Sequence, residues 1–503
     1  MRRQAARRAG RPARFAGRAL SALVLAALVV AGADTVGRSA RRPPDGVRPA
    51  FEVPVVLDEH APRGRISNLF GGPGIDRNAR IATDGAGRWM VVWHSTDDLG
   101  GTVGADWDIF AAVSTDDGGT WGDASPLAGN AGSDRGDDLS PAIATDGHGT
   151  WVVAWSSDDT LGGALGRDRD ILFVRSIDGG RTWSRPVPLN VNASSDWGND
   201  NEIALATDGE GHWAAVWSST DSLANRIGGD SDLLIARSSD GGATWTHPMP
   251  LNTNATRDAA FDTSPDVMTD GSGRWVTVWS SGAPRGGPFG PDRDILSSWS
   301  ADGGATWSDP TPLNSNAASD RNSDWSPRLA ADGRGQWVAV WTSADSLEDA
   351  IGVDRDVLVA RSTDGGRTWS QAAPLNRSAP RDAREDSSPA IATDGRGTWV
   401  VTWHAWGALG YGDGSDADIV ASYSTDNGKK WSRPVSINPD SRSDLVDDLL
   451  PAVTTDRAGH WVVVWQGFYP FADSNHRRAL WRVLASTGAI GGLAESSASF
   501  LAR

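Results

Sequence analysis

Within eight residues, Ser176 to Trp183, the chain sets an acid (Asp178), two hydroxyls (Ser176 and Thr182), two glycines including Gly180, and the indole of Trp183. An acid beside hydroxyls suits proton transfer in a catalytic loop, or hydrogen bonds to the backbone of a tight turn. Recurrence favours the turn. The same string begins again at Ser238, Ser300 and Ser362, with looser copies at Ser114 and Ser424, always 62 residues apart (114 to 176, 176 to 238). Near-identical acids spread along a repeat are poor material for one asymmetric active centre. In a turn every residue has a role, since the acid and hydroxyls bond turn N–H groups, glycine takes a positive φ, and tryptophan packs the turn onto the body.

A second set of acids keeps the same interval. Asp106 and Asp108, Asp168 and Asp170, Asp230 and Asp232, Asp292 and Asp294, Asp354 and Asp356, and Asp416 and Asp418 form Asp-x-Asp pairs, and a further acid such as Asp138 or Asp200 follows later in each unit. Asp138, Asp168 and Asp170 represent the candidate metal ligands. Clusters of oxygens suit Ca²⁺, which accepts about 6 to 8 oxygens in irregular geometry. The alternative is that these acids accept loop N–H bonds and pair with neighbours such as Arg167 and Arg169. Apart from this possible Ca²⁺, the sequence requires no cofactor.

The elements that must position these residues follow from the repeat. "TDGHGTWVVAW" at 145–155 has relatives centred on Asp84, Asp146, Asp208, Asp270, Asp332, Asp394 and Asp456, which makes seven units. In the second unit, 140–145 reads as a short strand a, Asp146 and Gly147 as a hairpin turn, and 151–155 as strand b. A longer loop leads to strand c at 171–175, then the Ser176 to Trp183 turn, then a strand d in "WSRPVPLN". Pro186 and Pro188 suit an edge, because proline donates nothing to a central ladder. Four antiparallel strands per unit predict an all-β, seven-bladed β-propeller of four-stranded antiparallel blades. A six-bladed propeller with a leftover hairpin is the alternative.

The last unit has a strand a at 450–455, a strand b at 461–465 and a strand c at 479–486, with no convincing strand d. "FEVPVVLD" at 51–58 resembles the strand-d segments, so the N-terminal strand is expected to complete the last blade and close the ring. In this up-and-down order the a–b and c–d turns share one face, and the longer b–c and d–a loops share the other. Function is expected on the long-loop face.

The string Ser176, Asp178, Gly180, Thr182, Trp183 resembles the Asp box, or BNR repeat, of sialidases and their relatives, over residues 51–486. The resemblance implies a propeller and, as one possibility, an exo-sialidase-type glycoside hydrolase. Such enzymes use an arginine triad, a tyrosine nucleophile with a glutamate partner, an aspartate acid/base, and an N-terminal Arg-Ile-Pro type motif. This chain departs from that pattern: "FEVP" has no arginine, "GRISN" at 64–68 has no proline, and Tyr411, Tyr423 and Tyr469 are its only tyrosines. No catalytic residue is carried over, although the many acids leave a two-carboxylate hydrolase scheme open.

An asymmetric ligand needs an asymmetric patch, and the seven-fold pattern breaks in one region. After strand b most units carry Ser or Thr, but the first has His94 and the sixth His404, with Trp406 and Tyr411 following. The seventh replaces its Asp-x-Asp loop with "QGFYPFADSNHRRA", containing Phe468, Tyr469, Phe471, His476, Arg477 and Arg478. Aromatic rings for stacking and arginines for an anion, converging beside the tunnel, make these the candidate ligand-binding residues. A closing blade that simply drifts, its aromatics shielding the seam, is the alternative. The function expected is carbohydrate or surface-ligand binding, with the hydrolase as its rival.

Bulk properties bound the partners. The formal charge of −17 argues against a nucleic-acid backbone and leaves a glycan or cell-surface ligand. Hydrophobic residues are only 39% of the chain, so its 26 Trp must supply much of the core, and with no Cys that core holds without disulfides. The N-terminus has arginines, an apolar run over 19–30 and a small-residue site at 31–33, which reads as a signal peptide at 1–33. The run is shorter than the roughly 20 residues that span a bilayer, which disfavours an uncleaved anchor. A linker at 34–50, the propeller at 51–486 and a tail at 487–503 complete the expected organisation. The protein is expected to be secreted, periplasmic or cell-surface, monomeric, and without a membrane span once the signal is removed.

Overall fold

A computed structural model describes residues 49–51, 55–56 and 74–490, except 258, 283–291, 315–316, 318–320, 348–349, 353, 376–378, 380–384, 408–415, 438–446 and 473–476; for 49–51, 55–56, 469–472, 477–482 and 489–490 the backbone alone is described. The described residues contain no helix and form seven antiparallel sheets, one per repeat. The second blade shows the plan. Strand a runs Asp138–Thr145, b Trp151–Ser157, c Asp170–Ser176, and d is only Val187–Pro188. The expected longer strand d is therefore two residues, the second of them the edge proline. The sheets are the seven blades, and the seven-bladed ring holds over the six-bladed alternative.

Alternation along strand b explains how the blades pack. Trp151, Val153 and Trp155 join the cluster that includes Met90, Val92 and Ile109 of blade one, while Val152 and Ala154 join that of Trp213 and Trp217 of blade three. A strand covered on both faces needs apolar residues at every position, as in a doubly covered sheet. Each blade thus presents two tryptophans to the blade before it, and Trp151, Trp155, Trp213 and Trp217 are all essentially unexposed.

The ring closes by the same contacts. Trp89 and Trp93 of blade one pack with Val462, Val464 and Val483 of blade seven. Val55 and Val56 pair with Ala485 and Leu484 on the outer side of blade seven, in the register that Val187 and Pro188 keep with Phe173 and Leu172. Pro49–Phe51 extends this edge, pairing with residues 488–490.

Blade seven departs from the sequence reading. Its strand b runs on to Ala472 and its strand c spans Arg477–Ile490, paired without a break from His460↔Ala489 to Ala472↔Arg477. The segment read as a long b–c loop is mostly an extended hairpin arm. Where the other blades leave the sheet soon after strand b, here both partner segments remain in extended register.

Strand a carries a bulge in every blade. Asn78, Ser140, Glu202, Ser264, Ser326, Ser388 and Leu450, one per repeat, have φ between 51° and 54°. A left-handed residue that is not glycine costs on the order of 1 kcal/mol, and the bulge turns strand a at the mouth of the central tunnel.

Candidate functional site on the long-loop face

The two faces of the ring treat their aspartates in opposite ways. On the turn face, Asp178 Oδ1 accepts from Ser176 Oγ at 2.8 Å, Arg181 N at 3.0 Å and Thr182 N at 2.9 Å, and its Oδ2 accepts from Thr182 Oγ1 at 2.6 Å. These donors, the Thr182 hydroxyl foremost, hold the carboxyl well below the usual range. Asp240 repeats the pattern and is pulled down to about 2, chiefly by Thr244. Gly180 sits at φ 75°, and a Cβ there would lie 2.5 Å from Met90 Cε, so the box also seats on the preceding blade. Ser176, Asp178, Gly180 and Thr182 form a hydrogen-bonded turn, and Trp183 packs it against the cluster between blades one and two.

On the opposite face the Asp-x-Asp pairs meet carboxylates brought from elsewhere in the chain. In blade one, Asp106 and Asp108 at the start of strand c face Asp134 of the d–a loop, and one oxygen of each lies within 4.8 Å of the others. Asp168, Asp170 and Asp196 repeat this one blade on. The d–a loop turns because Ser133 N and Asp134 N both donate to Asn130 O, at 2.7 and 3.1 Å. The Asn130 amide nitrogen bonds Asp134 and, at 3.1 Å, Asp159 of the next blade. Burial first, then the neighbouring acids Asp134 and Asp106, pushes Asp108 up to about 8. Burial likewise brings Asp170 to about 7 and Asp134 and Asp196 to about 6.

The three acids named from the sequence do not fall in one of these groups. Asp138 is fully buried and sits near Asp108 and Asp134, in the site before that of Asp168 and Asp170, so the three residues span two neighbouring sites. The sequence reading missed Asn130, Asp134, Asn192 and Asp196. Their signal was the recurrence of Asn130 and Asp134 as Asn192 and Asp196, one repeat later. The arginine expected to pair with these acids goes elsewhere: Arg169 Nη2 lies 3.8 Å from Asp158.

The tunnel holds a second irregularity. It has a volume of about 370 Å³ and is lined by strand a of every blade. Where Ala142, Ala204, Ala390 and Ala452 stand in four blades, the others place Arg80, Asp266 and Arg328. Asp266 accepts from Leu329 N at 2.8 Å, while burial, with Arg328 nearby, lowers Arg80 to about 10. Comparing the repeats at this position would have found the three charges in the sequence.

The residues of the sequence-derived patch are placed unequally. His94 is 5% exposed, accepts from Ser140 N at 3.1 Å through Nδ1, and meets Trp107 edge-on at 4.8 Å. Burial, aided by Arg77 and Arg80, lowers it to about 3, which keeps the imidazole neutral and able to accept this blade-to-blade bond. His404 is 8% exposed and lowered by burial to about 4. Both histidines lie inside the ring wall. Trp406 and Phe468 stand at equivalent positions in blades six and seven and are 37% and 36% exposed. Tyr411 and His476 fall outside the described residues, and Tyr469, Phe471, Arg477 and Arg478 are placed by backbone only, on the hairpin arm. Tyr423 is on strand c of blade six, packed against that blade's core.

One exposed ring was not anticipated. Trp197, in the d–a loop after Asp196, is 90% exposed. Its loop is held: Asn192 Nδ2 donates to Asp196 at 2.6 Å and to Asp221 at 2.8 Å, and Asn199 N donates to Thr220 Oγ1 at 2.8 Å. Gly198 lets the loop lie this close, since a Cβ there would come within 2.1 Å of Asp221 N. Phe261, at the start of strand a in blade four, is 57% exposed on the same face.

No family model matches the chain, and no curated protein matches it. Solved structures do. An α-L-arabinanase of Penicillium chrysogenum aligns over 70% of this chain and 93% of its own, at 15% identity and a TM-score of 0.43. The intramolecular trans-sialidase of Ruminococcus gnavus aligns over 85% and 97%, at 12% identity and a TM-score of 0.41. An ulvan lyase aligns over 84% and 92%, at 14% identity and a TM-score of 0.45. The fold itself is fixed by the seven antiparallel blades, with the Ser176 to Trp183 type of turn repeated along the chain. At these identities and TM-scores the alignments carry no activity to this chain, and what the propeller does must come from its own loops.

Proposed function

We propose that the propeller binds a carbohydrate across its long-loop face, as an exported, monomeric protein that meets a glycan or another cell-surface ligand. The observation that carries this reading is Trp197, a tryptophan 90% exposed on a loop pinned by Asn192, Asp196 and Asp221. A buried tryptophan stabilises a core, whereas one held in solvent offers a flat apolar surface with little left to lose in ordering. Sugar rings present C–H faces that such a surface accepts, and their hydroxyls suit the acids and amides around it. Phe261, Trp406 and Phe468 place further rings on the same face. The leader-like segment at the N-terminus supports export.

A glycoside hydrolase of sialidase type is the second reading, favoured by Arg80, Asp266 and Arg328 in the tunnel, which together suit an anionic group. One experiment addresses both. The purified protein is applied to a glycan array, and the glycans that bind are then incubated with it and checked for released sugar. Binding without release is expected, with Trp197→Ala weakening affinity at least about tenfold, equivalent to about 1.4 kcal/mol. Catalytic release of a sugar would establish the hydrolase instead, and unchanged affinity in Trp197→Ala would remove the loop from the binding surface.

A further inference from the structure

Burying carboxylates together, with no cation among them, costs several kcal/mol per ion, so an acid cluster needs its oxygens accounted for one by one. In blade one several oxygens are left over. Asp108 is 1% exposed, and its Oδ1 has no hydrogen-bond partner. Asp106 Oδ2, Asp134 Oδ1 and Asn130 Oδ1 are buried without partners as well. One oxygen of each of the three acids lies within 4.8 Å of the others. Asn130 commits its amide nitrogen to Asp134 and Asp159, so the oxygen is the end of the amide left unbonded.

The same atoms recur in the next blade. Asp168 Oδ2, Asn192 Oδ1 and Asp196 Oδ1 are buried without partners, and Asn192 Nδ2 is committed to Asp196 and Asp221. One difference is informative. Asn190 donates to Asp170 Oδ1 at 2.8 Å, but blade one has Ala128 at that position, which leaves Asp108 without this donor. Both sites also leave room for the first acid of the pair: a Cβ on Gly104 would lie 2.0 Å from Asp106 Oδ1, and one on Gly166 would lie 2.2 Å from Asp168 Oδ1.

We propose that blade one binds a calcium ion on Asp106, Asp108, Asn130 and Asp134, and that blade two binds another on the equivalent set one repeat later. The donors are all oxygen, carboxylates with an amide carbonyl, and contain no nitrogen or sulfur ligand that would select zinc. They come from two separate loops in an irregular arrangement, which Ca²⁺ tolerates and Mg²⁺, demanding a near-ideal octahedron, does not. Each ion ties the start of strand c to the d–a loop leading into the following blade.

The test is equilibrium dialysis of the full chain, stripped with chelator, against Ca²⁺ alone and against Mg²⁺ alone. At least two calcium ions per chain are expected, with Mg²⁺ bound at least about tenfold more weakly. Asp134→Asn and Asp196→Asn each reduce the calcium count by one while leaving the metal-free melting temperature equal or higher. Wild-type protein that takes up no Ca²⁺ at about 1 mM, the weak end of protein calcium sites, overturns the proposal. So does an undiminished count in both variants. Should a variant fail to fold, terbium emission from the wild type decides, with Trp107 beside the blade-one acids and Trp197 beside those of blade two as sensitisers: emission displaced by Ca²⁺ is expected, and its absence refutes both sites.

Discussion

Asp240 and Asp108 stand on opposite faces of the same ring, each one copy of an aspartate repeated from blade to blade. Asp240 accepts from Ser238 Oγ at 2.7 Å, Ala243 N at 3.1 Å, Thr244 N at 2.9 Å and Thr244 Oγ1 at 2.7 Å, and is held near 2. Asp108 is almost wholly buried among other acids and rises to about 8. The Asp240 charge is accounted for by the donors of its own turn, whereas Asp108 Oδ1 is buried without a donor. Repetition alone does not separate these cases; the tally of donors does.

The comparison can be broken most severely on the turn face. Asp240→Ala removes the acceptor for four hydrogen bonds while leaving the long loops untouched, and is expected to cost about 1 to 3 kcal/mol. Chemical denaturation measures that cost, and the same variant on a glycan array should bind like the wild type. Lost glycan binding at normal stability would make the box a site after all.

A smaller effect appears in acid. The folded carboxyl of Asp240 titrates at about 2, below its unfolded value of about 3.9, so its contribution is complete above pH 3.9 or so and is lost as pH falls through about 2. Asp240→Asn should therefore flatten the fall in stability over that window, as followed by acid titration of tryptophan fluorescence. The side chain is exposed, and solvent screening keeps the change small. An identical acid profile in the variant would mean that the box donors do not favour the charged form.

Much of the architecture was legible because it is periodic. The interval of 62 residues, the Trp-flanked strand b and the proline-bearing edge segments each follow from local residue types, and these give seven blades. Blade seven was misread because Gly467 and Pro470 look like loop residues, while their continued pairing depends on partners at Arg482 and Ala479 across a hairpin. The bulges at Asn78, Ser140 and their equivalents were invisible, since residues as different as Glu202 and Leu450 adopt the same φ. Asp134 reaches Asp108 only once strand d and its loop have folded back across the blade. Trp197 is one tryptophan among 26, and nothing local distinguishes an exposed ring from those that fill the core.

The opposed roles of the two acidic faces are tested most directly by a paired amide substitution. Asp108→Asn and Asp240→Asn are melted in chelator and again in excess Ca²⁺. Without metal, Asp240→Asn should melt below the wild type, because the amide accepts fewer of the box donors, and Asp108→Asn should melt at or above it, because the amide cannot ionise among the neighbouring acids. In Ca²⁺ the wild type and Asp240→Asn should rise together, and Asp108→Asn should rise less. Equal destabilisation by both substitutions in chelator, with equal calcium shifts, would contradict the division between the faces.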